Sequence, residues 1–307
     1  MCYNYKESMK REAVDKQTEL LRFEAIWNFE SDTRSGHTVE KWNERAEEWE
    51  KSLLTVSGKE RSELRSRMMC DFIKKEGALS PMCRVMDIGS GSGSLAFEIA
   101  PHVHYVKGID FSPGMCALAE KRRVEKNIDN VSFEIFDFSV VGVDELTING
   151  KYDLVCSSIT PAIRGYGALE KMMSISSKYC FNASFVHKEN DLYNEILKSV
   201  FNKTVENGYD GHWHSFYAMF NKLFLCGFYP VTGYFDEYKD IIADLSEEGI
   251  DKIAGNVVSL IYNPPKFADK MIKEYIVSEY KGKKSVKTRD MRRYGMILWN
   301  VNKKTAR

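Results

Sequence analysis

Three glycines follow an apolar segment and could bring the backbone close to a ligand. They alternate with two serines and come just after an aspartate, in the order Asp87, Gly89, Ser90, Gly91, Ser92 and Gly93. Glycine is favoured where a chain turns sharply or where a ligand lies against the backbone. Such a loop can serve a dinucleotide, a nucleoside or a phosphate group, so the glycines alone do not identify the ligand.

Two further acidic residues end the next two apolar segments. Asp110 ends HYVKGID, seventeen residues after Gly93, where a carboxylate can accept hydrogen bonds from a ribose diol. Asp137 ends VSFEIFD and precedes Phe138, and a carboxylate beside an aromatic ring suits adenine. A dinucleotide would favour the spacing G-x-G-x-x-G. The observed G-x-G-x-G, with Asp87 ahead of it, indicates adenosine that carries a positively charged tail.

These residues need a parallel sheet to bring them together. Short apolar segments alternate with helical ones, and we predict strands at 84–88, 104–110, 131–137, 152–159, 179–186, 230–238 and 294–301. This alternation favours a parallel sheet that is covered by helices on both faces. Ligands of such sheets bind at the carboxyl ends of the strands, which is where the glycine loop falls.

Four segments in this order carry a family resemblance: VMDIGSGSG, VKGIDFSPGMCALAEKR, VSFEIFDF and YDLVCSSI. They resemble the successive cofactor motifs of class I S-adenosylmethionine-dependent methyltransferases, over about residues 80–185. The resemblance implies an α/β fold, with a seven-stranded, mostly parallel sheet, helices on both faces and a last strand inserted antiparallel. It also implies S-adenosylmethionine as the cofactor. The N-terminal helices, which we expect to form a cap, are not part of the shared core.

The resemblance also implies which residues hold the cofactor. The methionine part would lie against Asp87 and the glycine loop, and the ribose against Asp110. The adenine and the sulfonium would lie against five further residues: Phe111, Ser112, Asp137, Phe138 and Ser157. Plainer structural interpretations stay open for Asp110, which can cap a helix, for Asp137, which can simply end a strand, and for Ser157.

The histidines are the candidates for a general base, because imidazole exchanges protons near neutral pH. His212 and His214 flank Trp213 in GHWHSF, and His187 follows the fifth predicted strand. A polar loop at a helix start is the alternative interpretation of the pair. The catalytic residue therefore stays open.

The N-terminal segment and the fourth strand supply candidates for the acceptor site. Trp42, Arg45 and Trp49 share one face of a predicted helix, and His37 lies in the break before it. Thr160 follows the fourth strand. We expect a helical lid over residues 1–58, a cofactor-binding Rossmann-like core over 59–240, a helical insertion over 241–290, and the final strand and tail over 291–307. The alternative for the lid is a helix fixed to the core.

Composition excludes some classes of protein. Lys and Arg together number 44, as do Asp and Glu, so a globally basic nucleic-acid binder is not indicated. The seven cysteines form no C-x-x-C pair, which predicts reduced thiols in a cytoplasmic protein and no metal site. No segment is apolar over the length of a membrane span, so no membrane partner is expected.

Two segments keep a macromolecular acceptor open. NPPK, at 263–266, is similar to the Asn-Pro-Pro-aromatic motif of amino-methylating enzymes, but a lysine replaces the aromatic residue and the motif follows the wrong strand. KGKKSVKTRDMRR, at 281–293, is basic and could steer an acidic substrate.

The expected function is methyl transfer to a small-molecule acceptor by in-line displacement. The alternatives are methylation of RNA, DNA or protein, and cofactor binding without transfer. The oligomeric state stays open.

Overall fold

A seven-stranded sheet organises the molecule in the order β3-β2-β1-β4-β5-β7-β6. The structure, a computed structural model, describes residues 15–33, 38–204, 214–261 and 263–303. The strands are β1 Arg84–Ile88, β2 Tyr105–Asp110, β3 Val131–Ile135, β4 Tyr152–Ser158, β5 Ser176–Asn190, β6 Val231–Asp244 and β7 Ser285–Asn300. Strands β1 to β5 pair in parallel, and β7 lies antiparallel between β5 and β6. The predicted fold class, including the inserted last strand, is confirmed.

Helices cover both faces of this sheet. They are α1 Lys16–Thr33, α2 Val39–Leu54, α3 Val56–Lys75, α4 Ser94–Ile99, α5 Pro113–Glu125, α6 Val143–Leu146, α7 Gly165–Ser174, α8 Asp191–Phe201, α9 His214–Leu225, α10 Glu247–Ser259 and α11 Ala268–Glu279. Side chains of α3 and α4 join one apolar core, and those of α1, α7 and α9 join the core on the opposite face. No helix in the described ranges is long and apolar enough to cross a membrane.

Helix α1 is built into one of these cores. Phe23 and Trp27 are buried there, and the Trp27 ring lies edge-on to Tyr166 of α7, with 5.5 Å between ring centroids. Burial of two aromatic side chains is among the largest apolar contributions that a single helix can make. In the structure, α1 therefore packs as part of the sheet's helical layer.

Three strands continue past the carboxyl edge of the sheet. The last residue of β4, Ser158, lies opposite Ala183, and β5 runs on to Asn190 while pairing only with β7. At about 3.3 Å per residue, this extension reaches roughly 23 Å beyond the central strands. Helices α8, α10 and α11 pack against its end around a third apolar core. We call these three helices, with the ends of the three strands, the distal module.

The strands occupy more of the C-terminal region than the sequence predicted. Strand β6 ends at Asp244 and β7 begins at Ser285, so both ends of the predicted helical insertion 241–290 are strand. Acidic residues of β6 face basic residues of β7. The ion pairs include Arg293 with Asp236, at 2.7 Å between nitrogen and oxygen, and Arg289 with Asp240, at 2.9 Å.

Candidate functional site

The glycine loop after β1 adopts a backbone that side chains disfavour. The φ angles are 66° at Gly89, 52° at Gly91 and 78° at Gly93, all in the left-handed region where glycine alone is unstrained. The amides of Gly89 and Ser90 both donate to the carbonyl of Ile109, at 2.8 and 3.0 Å. The loop is therefore tied to the end of the neighbouring strand β2.

The three glycines differ in what surrounds them. A side chain at Gly89 would collide with Thr160 in the loop after β4, and one at Gly93 would come within 2.6 Å of Phe133. At Gly91, no other heavy atom of the described chain lies within 4 Å of where a Cβ would stand. Gly89 and Gly93 thus permit close packing of the protein itself, whereas Gly91 borders open space that a ligand can enter.

Asp110 holds the loop and keeps capacity for a ligand. Its two carboxylate oxygens accept hydrogen bonds from the amides of Gly91 and Ser112, each at 2.9 Å. A carboxylate offers about four acceptor positions, so further hydrogen bonds can form. Burial raises the pKa of Asp110 above its ordinary value, although the backbone N–H groups act in the opposite direction. This is the position at which the sequence placed the ribose hydroxyls.

Asp87 lies beneath the loop without a hydrogen-bond partner in the described chain. It is 2% exposed, and no described N–H or O–H donates to its carboxylate. Burial first, and the charge of Asp110 second, raise its pKa to about 7. An acid in this state can accept a proton or a cationic ligand group near neutral pH.

Arg122 of α5 holds the other end of the loop, and the sequence analysis missed it. Its guanidinium donates to the backbone carbonyl of Ser92 and, at 3.0 Å each, to the hydroxyls of Ser92 and Ser94. It also lies over the Phe97 ring, 5.3 Å from the centroid. Arg122 stands in the run AEKRR, and nothing in the sequence separates this arginine from its charged neighbours.

Helix α2 packs against the start of α5, beside the glycine loop 89–93 with Asp87 and Asp110, which we call the cradle. The Asn43 side-chain oxygen accepts hydrogen bonds from the Ser112 hydroxyl at 2.7 Å and from the Gly114 amide at 3.1 Å. A side chain at Gly114 would meet Asn43 at 3.1 Å, so glycine allows this close approach. Trp42, predicted for the acceptor, lies edge-on to Phe111, with 6.4 Å between ring centroids. Trp42 therefore contacts a residue that was predicted to hold adenine, although Trp42 itself was predicted to contact the acceptor.

Three of the residues expected around adenine have structural partners. Ser112 is fully buried and caps α5 by accepting from the Met115 amide at 3.1 Å. The Phe138 ring is 3% exposed and packs in the core, with the Lys171 ammonium 4.7 Å from its centroid. Because this ring is buried in the core, only the backbone of Phe138 is available to contact adenine. Asp137 is exposed two residues beyond β3, and its carboxylate accepts from the Ser139 amide at 2.8 Å.

The end of β4 contains one strained residue and one buried hydroxyl. Ser157 is fully buried and accepts from the Asn182 amide nitrogen at 2.8 Å, so its hydroxyl belongs to the interior rather than to the sulfonium. Ile159 has a φ of 53°, which is unusual for a β-branched residue and typical of functional loops. Thr160 follows it and lies against Gly89. Of the two residues predicted here, Thr160 is the one that borders the cradle.

His187 is the only one of the candidate histidines whose side chain lies within the described structure. It lies on the extension of β5, is 9% exposed, and its Nε2 is 2.6 Å from Oε1 of Glu189. It pairs across the sheet with Arg293 of β7. His37 and His212 lie outside the described residues. His214 begins α9, and its side chain also lies outside what the structure describes.

A buried polar group on the opposite face of this extension was not predicted. Arg65 of α3 donates to the carboxylate of Glu237 and to the hydroxyl of Tyr294, both at 3.2 Å. The Tyr294 ring packs between Phe185 and Phe235, each 4.8 Å away by centroid. The Trp49 ring lies 5.9 Å from the Arg65 guanidinium. Arg45, by contrast, is exposed over Trp42, at 4.7 Å from its centroid.

The two segments that kept a macromolecular acceptor open have other roles. The basic run 281–293 lies largely in β7, where its side chains pair with acids of β6; Lys287, for instance, lies 2.9 Å from Asp240. Residues 263–265 connect α10 to α11 in the distal module and do not follow β4. Neither segment forms part of the cradle.

Comparison with known proteins gives a family match and similar solved structures. A family model described as a methyltransferase domain matches residues 79–205. The chain is similar to the YcgJ protein from Bacillus subtilis, with 14% identity and a TM-score of 0.44 over 78% of this chain and 99% of that one. It is also similar to magnesium protoporphyrin IX methyltransferase from Synechocystis with bound S-adenosylhomocysteine (18%, TM-score 0.41, 72% and 93%). A third similar structure is an S-adenosylmethionine-dependent methyltransferase from Geobacter sulfurreducens (18%, TM-score 0.39, 76% and 90%).

The residues of the cradle fit S-adenosylmethionine. Gly91 leaves open space, Asp110 has acceptor capacity for a diol, and Asp87 is an unpartnered acid for a cationic group. The Ser90 hydroxyl is buried and finds no hydrogen-bond partner within the described ranges. The sheet order and these features agree with the family match, whose model describes a methyltransferase domain. Residues 79–205 of this chain carry that domain, and S-adenosylmethionine is its cofactor, as the sequence predicted.

Proposed function

We propose that the protein methylates a small-molecule acceptor that binds between the glycine loop and the extension of β5, β6 and β7. The observation that carries this proposal is the bridge from Arg65 of α3 to Glu237 and Tyr294 on the extension. This bridge connects α3 to the parts of β6 and β7 that extend beyond the end of β4. An acceptor space closed by this bridge would favour a compact acceptor over a long polymer.

The charge distribution supports the same conclusion. Three of the four basic residues of β7 pair with Asp236 and Asp240 of β6. This pairing disfavours the positively charged stripe with which proteins follow a phosphate backbone. Methylation of RNA, DNA or protein is therefore the second candidate.

We propose His187 as the general base for an acceptor that must lose a proton. When bound, the cofactor would supply a methyl group on a positively charged sulfur. Transfer of that methyl group needs an acceptor atom with a free electron pair. With Nε2–H donating to Glu189, Nδ1 of His187 can take the proton of an acceptor hydroxyl or amine. The Glu189 carboxylate then stabilises the imidazolium, as carboxylates do for catalytic histidines.

A labelling experiment tests the acceptor class. The protein is incubated with methyl-tritiated S-adenosylmethionine and cell extract, and the label is then separated into small-molecule, nucleic-acid and protein fractions. We expect enzyme-dependent label among the small molecules. Label confined to RNA, DNA or protein would contradict the proposal. Bound cofactor without any labelled product would favour a binding protein instead.

The base has its own test once an acceptor is found. His187→Gln removes the proton acceptor and should lower kcat by about 10²-fold or more, with cofactor affinity unchanged. His104→Gln is the matched control, since His104 is exposed before β2 at the amino edge of the sheet. Equal activity of the two variants would rule out His187 as the base.

Other expectations stay predictions. They are a lid over residues 1–58, a core over 59–240, an insertion over 241–290, a final strand over 291–307 and a cytoplasmic location. We propose that the distal module and α2 contribute to acceptor choice, because both adjoin the carboxyl edge and, apart from α8 and the end of β5, lie outside the matched residues 79–205.

A further inference from the structure

The face of the strand extension that lies against α3 carries more positive than negative charge. Strand pairing places Lys188 of β5, Arg292 of β7 and Glu237 of β6 in one row across the sheet. The next row outward pairs Asp290 with Lys239. Side chains directly opposite one another share a face and lie about 5 Å apart at Cβ. An arginine of α3 adds a further cation to these two rows.

Arg292 is the basic residue of β7 that forms no ion pair within the described residues. The other three basic residues of this strand pair with acids of β6. The Arg292 side chain is half-buried, and its guanidinium lies 6.0 Å from the centroid of the Phe185 ring. Glu237, which lies opposite Arg292 in register, accepts from Arg65 instead. Arg292 is therefore a fixed cation that is available to an anion from outside the chain.

Arg65 also keeps most of its hydrogen-bond donors. Its Nη1 donates to the Glu237 carboxylate and to the Tyr294 hydroxyl, both at 3.2 Å, whereas Nε and Nη2 donate to no acceptor in the described chain. The Nε and Nη2 edge of a guanidinium matches the two oxygens of a carboxylate. Arg293 uses this same edge to hold Asp236, at 2.7 and 2.8 Å. Because Nη1 is already held, the free edge of Arg65 has a fixed direction.

The position of Arg65 on α3 connects this pair of arginines to the cofactor cradle. Ser62 lies three residues earlier on the same helical face, and its hydroxyl is 3.1 Å from that of Ser94, directly after the glycine loop. On its other side, the Arg65 guanidinium lies 5.9 Å from the ring of Trp49, which is exposed. The Arg65 side chain is itself 16% exposed. Arg65 thus lies one helical turn from a contact with the loop, and a ligand can reach it.

We propose that Arg65 and Arg292 bind a carboxylate of the methyl acceptor. The inference rests on the proposed function, because it names the chemical class of that small-molecule acceptor. Arg65 gives the carboxylate two parallel hydrogen bonds through Nε and Nη2, and Arg292 supplies a second positive charge. The bound carboxylate fixes the orientation of the acceptor, and the methyl group goes to another of its atoms.

Chemical blocking of carboxylates tests the acceptor class before the acceptor is identified. The small molecules of a cell extract are treated with a carbodiimide and excess ethanolamine, which converts carboxylates to neutral amides. They are then incubated with the protein and methyl-tritiated S-adenosylmethionine. Compared with ethanolamine alone, this treatment should lower labelling at least tenfold, whereas alkaline phosphatase should leave labelling unchanged.

Three outcomes would contradict a proposal, and they can be told apart. Undiminished labelling after amidation would overturn the carboxylate. Loss of labelling after phosphatase treatment would also overturn it, because it would indicate a phosphate ester. Absence of labelled small molecules from the untreated extract would instead contradict the proposed function itself.

Variants of the two arginines test the site directly. Arg292→Gln should raise the amount of extract needed for half-maximal labelling at least tenfold, because a charge-assisted contact is lost. Arg65→Lys keeps a charge beside Glu237 but loses the paired donors, so it should act in the same way. Calorimetry should show unchanged affinity for S-adenosylmethionine in both variants, which also establishes that they fold.

Arg289→Gln is the matched control. Arg289 lies on the same strand as Arg292 but on the opposite face, where it pairs with Asp240 at 2.9 Å. This variant should need no more extract than the wild-type protein. Equal responses of Arg292→Gln and Arg289→Gln, or no response of Arg65→Lys, would overturn the proposed carboxylate site.

Discussion

Gly91 combines a left-handed backbone with open space beside its Cα. Gly91→Ala should cost about 1 kcal/mol of stability through backbone strain and should also weaken S-adenosylmethionine binding at least tenfold, because its methyl group enters the ligand's space. Gly77 is the matched control, with a φ of 72° and no atom of the described chain near a Cβ.

Gly77 follows α3 at the amino edge of the sheet, away from the cradle. Gly77→Ala should therefore carry the same strain and leave cofactor affinity unchanged. Thermal melts and calorimetry of the two variants separate the effects. If both variants lose affinity equally, Gly91 serves the fold rather than the ligand.

At the residue scale, sequence reasoning found the groups whose neighbours in the chain identify them. Gly91 and Asp110 stand in motifs that follow strands, so their types and spacing were enough. Arg122 and Asn43 act on partners 30 and 69 positions away, and no local pattern records such a contact. Ser157 was misplaced toward the sulfonium for the opposite reason, because its position at a strand end does not reveal that its hydroxyl points into the core.

At the element scale, α2 is anchored rather than loosely laid over the site. Asn43 fixes it to the start of α5 through two hydrogen bonds. In hydrogen exchange, we expect amides of residues 39–54 to be protected without ligand. Asn43→Ala should speed their exchange and weaken cofactor binding several-fold, since the contact of Trp42 with Phe111 loosens. Each lost hydrogen bond costs about 1 kcal/mol.

The control for this helix is Glu50→Gln. It removes the exposed ion pair with Lys121, 2.6 Å apart, and exposed pairs contribute little. Exchange should stay slow in that variant. Rapid exchange of α2 in the ligand-free wild type, with protection only after ligand is added, would instead establish the mobile lid.

The length of β7 shows what a single segment cannot predict. The sequence analysis expected a strand only from residue 294, whereas β7 begins at Ser285. The run KGKKSVKTRDMRR is too charged to look like a strand by itself. Residues 285–293 of this run form a strand because β6 places acids opposite its basic residues, such as Asp236 and Asp240. This charge complementarity is visible only when the two strands are considered together.

For the whole molecule, a zero net charge conceals this local pairing. The wild-type protein should bind a single-stranded RNA weakly and with a shallow dependence on salt. Replacing both Asp236 and Asp240 with Asn exposes the charges of Arg293, Arg289 and Lys287. The double variant should gain affinity that falls steeply with added salt. Fluorescence anisotropy at two salt concentrations measures this, and tight, salt-sensitive binding by the wild type would favour the macromolecular alternative.

The most direct test of the cofactor cradle is calorimetric titration at pH 8 of the wild-type protein and of Asp110→Asn with S-adenosylmethionine and with NAD. We predict that the wild type binds S-adenosylmethionine in the micromolar range and does not bind NAD. The variant, which loses charge-assisted hydrogen bonds worth about 1.5–3 kcal/mol each, should bind at least tenfold more weakly while its thermal melt stays similar. Unchanged affinity in the variant, or NAD binding by the wild type, would contradict the account.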